Sequence, residues 1–147
     1  MLSMFLTWLA MYGNALAAEI VGYAFVREDC SLDVGGRTIR LFGIYVPPTD
    51  RVCRTWERPV KCGPRAALAL DFEIGSNFVS CDEREANPNG SITGTCRVDG
   101  ADLSAWMLEN GWAVALPDAP FEYYALEESA SARGLGVWGF SVDRIRR

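Results

Sequence analysis

A Gly35-Gly36 pair divides two short β-prone stretches, and Pro47-Pro48 ends the second. A two-residue glycine turn between such stretches forces a tight antiparallel hairpin. Glu19 to Val26 and Ser31 to Val34 precede it, and Arg37 to Ile44 follows. Alternation along that last strand places Ile39, Leu41 and Gly43 on one face and Arg40, Phe42 and Ile44 on the other. A polar loop carrying Arg51, Arg54, Arg58 and Lys61 comes next. Gly63-Pro64 then opens a helix filled by Ala66, Ala67, Leu68, Ala69, Leu70 and Phe72, and Gly75 closes it. Phe78 to Cys81 and Ile92 to Val98 read as two strands joined across Asn87-Pro88-Asn89-Gly90, which makes Cys81 and Cys96 candidate cross-strand neighbours. A second helix follows Asp99-Gly100, with Leu103, Trp106 and Met107 at i, i+3 and i+4. Trp112 to Leu116 reads as a short strand, and Phe121 to Arg133 as a third helix. This order predicts a mainly β fold with α-helices: a five-stranded OB-type barrel with about three helices, in one domain over residues 18–147.

The chain of 147 residues carries 14 Lys+Arg against 19 Asp+Glu, a formal charge of -5. That field disfavours nucleic acid as a partner, since non-specific affinity for it comes from neutralising phosphates. There are 0 histidines, which excludes Ser-His-Asp and Cys-His machinery and imidazole metal sites. Residues 1–17 are expected to be a signal peptide. They contain no charged side chain, hold an apolar run from Met4 to Met11, and end in the small-x-small pattern of Ala15 and Ala17. A Lys or Arg before the apolar run is missing. The expected location is secreted or periplasmic, with no transmembrane segment after signal removal. The chain has 5 cysteines and no C-x-x-C pair. In an oxidising compartment they would pair and leave one over, with connectivity open.

Several pieces in this order resemble the staphylococcal-nuclease-like (thermonuclease) family. They are the run Val34 to Ile44, Cys62-Gly63 with the alanine-rich helix, Gly100-Ala101-Asp102-Leu103, Gly111-Trp112-Ala113-Val114-Ala115, and Glu127 followed by Gly136-Val137-Trp138. The resemblance implies calcium-dependent cleavage of DNA and RNA, and disulfides Cys53–Cys62 and Cys81–Cys96 with Cys30 left free. Such chemistry needs carboxylate oxygens for calcium, a carboxylate to activate water and arginines for the phosphate charge.

Set against the family pattern, Arg40 is the retained catalytic position. Cys30 stands where a metal aspartate belongs, Tyr45 where the second does, Pro48 at the general base, and Ser91 at the second arginine. No cofactor is therefore expected and no metal ligand is assigned, because thiolate is a poor calcium ligand and proline takes no proton. Asp29 would point away from the site unless a bulge intervenes, while Asp50 or Glu57 in the loop could reach back. Arg51, Arg54, Arg58 and Lys61 are either a solvated face or an anion-binding surface. Cys30 is a reactive, a buried or a bridging cysteine. The expected function is a binding or accessory module for an unknown anionic ligand or envelope protein. The alternatives are an active calcium-dependent endonuclease with relocated ligands and an accessory envelope factor of exopolysaccharide biosynthesis.

Overall fold

The computed structural model describes residues 18–47, 52–54 and 59–139, with side chains at 18–47 and 65–139. The strands are β1 (Glu19–Val26), β2 (Leu32–Val34), β3 (Arg37–Leu41), β4 (Ile44–Tyr45), β5 (Val52–Arg54), β6 (Pro59–Lys61), β7 (Phe78–Ala86), β8 (Ile92–Val98), β9 (Ala101–Asp102) and β10 (Val114–Ala115). The helices are α1 (Cys62–Ile74), α2 (Leu103–Glu109) and α3 (Phe121–Ala132), with a 3₁₀ turn at Gly136–Gly139.

Five strands close on themselves. β1 pairs antiparallel with β2 and β7, β2 with β3, and β7 with β8; β3 and β8 then join in parallel. The result is a closed mixed β-barrel with three helices, the OB arrangement the element order predicts. Leu32, Val34, Ile39, Leu41, Val79 and Ile92 point inward and are buried. α1 covers them with Ala66, Leu70 and Ile74, spaced i, i+4, i+8, and turns Leu68 and Phe72 to solvent. α2 adds Leu103, Met107 and Leu108. Asp102 caps α2, its carboxylate accepting from the Ser104 N–H at 2.9 Å. The Tyr123 hydroxyl donates to that same carboxylate and so fastens α3 to the cap.

The strand expected over residues 37–44 is interrupted. Gly43 adopts φ +75° beneath the Tyr123 ring, where a Cβ would lie 2.9 Å from Tyr123 Cε2. The break shifts the alternation by one, so Ile44 is buried beside Leu41 rather than facing out with Arg40. β7 runs on to Ala86, with an irregularity between Glu83 and Glu85. Within the stretch read as a loop, β5 and β6 form a hairpin. The side chains of Arg51, Arg54, Arg58 and Lys61, the Cys53–Cys62 pair, and the segment 1–17 lie outside the described residues.

Cys81 and Cys96 are register partners across β7 and β8 and form a disulfide, buried in the core. Cys30 is a buried free thiol. Such a bond forms and persists in oxidising compartments. Among the described residues no helix is long and apolar enough to cross a membrane.

Candidate functional site

The connection from β1 to β2 is the five residues Arg27 to Ser31. The Cys30 N–H donates to the Arg27 carbonyl and the Arg27 N–H to the Ser31 carbonyl, both at 2.9 Å. Cys30 closes the loop in the left-handed region at φ 63°, the geometry by which a type I turn is joined to a bulge. This bulge swings the Asp29 side chain onto a cleft that a regular strand would turn it away from. The Asp29 Oδ1 accepts from the Ser31 N–H at 3.0 Å and from its hydroxyl at 2.6 Å.

That cleft has a volume of about 300 Å³ and is lined by Asp29, Cys30, Ser31, Arg40, Tyr45 and Thr93, with Ile44, Val46 and Leu116 as its apolar wall. Arg40 is exposed on β3 between the buried Ile39 and Leu41. The β3–β8 pairing sets Thr93 directly opposite it. Burial raises the Asp29 carboxyl, but the Ser31 hydroxyl and amide and the Arg40 guanidinium outweigh it and hold Asp29 below its ordinary value. Among the described residues, the cleft therefore presents an ionised Asp29 at neutral pH beside Arg40.

Of the positions singled out in the sequence, Cys30, Arg40 and Tyr45 come together here. Cys30 is only 2% exposed, and burial followed by the Asp29 charge pushes its thiol up to about 12. It stays protonated at neutral pH, neither thiolate ligand nor nucleophile. Ser91 does not line the cleft. It is buried in the β7–β8 turn, where its N–H and hydroxyl donate to Asn89 Oδ1 at 3.1 and 2.6 Å and its oxygen accepts from Asn87 Nδ2 at 3.1 Å. This repeats the Asp29–Ser31 construction, so Ser91 holds a turn. Pro48, Asp50 and Glu57 lie outside the described residues. Thr93 carried no signal in the sequence, because only the parallel closure of the barrel brings it to Arg40.

Calcium does not fit the described lining. The ion takes six to eight oxygen ligands, and here the lining offers one carboxylate, with an oxygen already engaged by Ser31 and a guanidinium facing it.

No family model matches the chain. The succinoglycan biosynthesis protein ExoI of Rhizobium meliloti (strain 1021) is 33% identical over 136 residues, which span 88% of this chain and 71% of that protein. With this identity over most of both chains, the chain belongs to the family of the succinoglycan biosynthesis protein ExoI.

Proposed function

We propose that the protein is a non-hydrolytic accessory module of exopolysaccharide biosynthesis, acting outside the cytoplasm and holding an acidic group in the cleft on Arg40. The observation that carries this reading is the cleft's composition. Arg40, Cys30 and Tyr45 line it together, and the thermonuclease resemblance equates them with a retained arginine and two replaced metal carboxylates. Loss of a general base alone removes about 10²–10⁴ in rate, and Pro48 stands at that position.

Asp29 refines the choice of ligand. A polyanion with a charge on every unit would bring a second negative group against it. A sugar bearing a sparse acidic substituent satisfies both ends, the acid on Arg40 and a hydroxyl donating to Asp29. The ExoI relationship supports the pathway, and the Cys81–Cys96 disulfide together with the expected signal peptide supports the location.

The test is hydrolysis of single- and double-stranded DNA and RNA by the purified protein, with calcium and with chelator, alongside Arg40→Ala. The expected result is no cleavage above the variant, no rise in melting temperature with calcium, and retention on succinoglycan that Arg40→Ala weakens about tenfold (~1.4 kcal/mol). Calcium-dependent cleavage abolished in Arg40→Ala would overturn this reading. It would favour a nuclease rebuilt around Asp29, the one carboxylate the β1–β2 bulge delivers to the cleft.

A further inference from the structure

The outward face of β1 is more apolar than a solvent-facing strand requires. Its burial alternates strictly, and the side chains turned out are Val21, Tyr23 and Phe25, exposed by 55%, 67% and 69%. On the neighbouring strand Phe78, 59% exposed, is the register partner of Tyr23, and the two rings lie 4.5 Å apart at 40°. β1 is paired with β7 over Glu19–Tyr23 and with β2 over Ala24–Val26, and the row stands on the face of the sheet, so a partner here meets side chains.

This row is continuous with the cleft. Phe25 lines a shallow groove together with Arg27, Glu28, Asp29 and Asp33, and Asp29 also lines the cleft. From Phe25 the row runs through Tyr23 and Phe78 to Val21, which is paired with Ser80, and ends at Glu19, which accepts from the Ser80 hydroxyl. The six rises from Glu19 to Phe25 make a track of about 20 Å.

We infer that this row is a carbohydrate-stacking surface on which an extended polysaccharide strand lies, its acidic substituent reaching the cleft. For the class of polymer this rests on the exopolysaccharide reading; for its residues it does not rest on Arg40. Sugar rings offer a C–H-rich apolar face that stacks on the negative face of an aromatic ring, and hydroxyls that seek acceptors beside it. The row supplies both, since its three rings lie between the Glu19 carboxylate at one end and those of Glu28, Asp29 and Asp33 at the other.

Charge selects among occupants. The carboxylates of Glu19, Glu28, Asp29, Asp33 and Asp82 flank the row, against the guanidiniums of Arg27 and Arg97, which pair with Asp33 at 2.8 Å and Asp82 at 2.7 Å. A net acidic rim repels nucleic acid and anionic lipid. Charges set this close to the rings are also what the centres of protein–protein interfaces lack. Acceptors of this kind complement hydroxyl donors.

The experiment measures binding of the purified protein to succinoglycan and to its carboxyl-reduced form, by affinity electrophoresis and calorimetry. Three variants are compared: Tyr23→Ala/Phe78→Ala, Phe25→Ala and Arg40→Ala. All four side chains are exposed, and an unchanged melting temperature confirms the fold. We expect the double variant to bind both polymers at least tenfold more weakly, Phe25→Ala to be intermediate, and Arg40→Ala to lose affinity for the acidic form alone. Weakening by Tyr23→Ala/Phe78→Ala with none by Arg40→Ala would uphold the stacking surface and overturn the cleft reading. The reverse pattern would overturn the stacking surface and leave the cleft reading standing. Absence of binding to either polymer overturns the inference. Concentration-dependent self-association that the double variant abolishes also overturns it, because the face then covers a second copy of the chain.

Discussion

Replacing Gly136 by alanine tests how the C-terminal turn is locked to the barrel. Gly136 sits at φ +53°, and a Cβ there would lie 2.3 Å from the Gly111 carbonyl oxygen and 2.8 Å from that of Asn110. Even close carbon–oxygen contacts run at about 3.3–3.6 Å, so the two backbone segments must part by about 1 Å. Three costs result. The left-handed conformation costs an L-residue about 1–2 kcal/mol. The Val137 N–H to Gly111 carbonyl bond of 2.9 Å is broken between buried groups, at about 1–3 kcal/mol. Val137, buried at 1% exposure, loses part of the ~1.5 kcal/mol of its burial. The expected loss is about 3–5 kcal/mol, a large share of a typical domain's ~5–15 kcal/mol. Gly90→Ala is the control, because Gly90 has φ +83° and nothing within 4 Å of its built Cβ. It should cost only the left-handed term of about 1 kcal/mol. Urea unfolding of both variants, read by fluorescence and circular dichroism, gives the comparison. Equal losses for the two would refute the close-contact argument.

Removing the disulfide with Cys81→Ala/Cys96→Ala opens a loop with a sequence separation of 15, for which chain entropy predicts a loss of about 3 kcal/mol; thermal melts should show a fall of roughly 10 °C, and reductant should reproduce it in the native chain. Cys30 should resist iodoacetamide at pH 8 until the chain unfolds. Its folded thiol titrates near 12 against an ordinary 9.0, so above pH 9 the unfolded state releases a proton that the native state keeps. Stability should therefore fall with rising pH by up to about 1.4 kcal/mol per unit, and urea midpoints of Cys30→Ala should lack that slope. Glu127→Ala should destabilise by about 1–3 kcal/mol in the same urea assay, because this buried carboxylate accepts from the Ala115 N–H and ties α3 to β10. Asp29→Asn keeps an acceptor for Ser31 but turns the charged acceptor offered to a ligand hydroxyl into a neutral one, so calorimetry should show succinoglycan binding weakened about fivefold, the ~1 kcal/mol by which a hydrogen bond to a charged group exceeds a neutral one.

The barrel is readable in the sequence because its turns are marked by residues with strong backbone preferences. Gly35-Gly36 and Asn87-Pro88-Asn89-Gly90 sit at two of the hairpin turns, and the Cys81–Cys96 pairing follows once the β7 and β8 strands are set antiparallel. The far end of β7 was hidden by its charge. The charged Asp82, Glu83 and Arg84 lie beyond the strand read to Cys81, yet Arg97, Arg37 and Thr95 meet them on the barrel surface and supply side-chain partners that propensity does not see. The position of Asp29 was hidden for a different reason. It depends on a left-handed Cys30, a conformation sequence signals well for glycine and poorly for cysteine. The β3–β8 closure is non-local, so no short window holds it.

Barrel closure has a consequence for how this surface changes over time. The ring of strands is completed by backbone pairing and an internal apolar core, and neither draws on the side chains of Arg40, Tyr23 or Phe78. Stability and recognition are thereby assigned to different residues. A lineage can exchange its ligand by rewriting outward positions one at a time, each step close to neutral for folding, while the scaffold persists unaltered beneath.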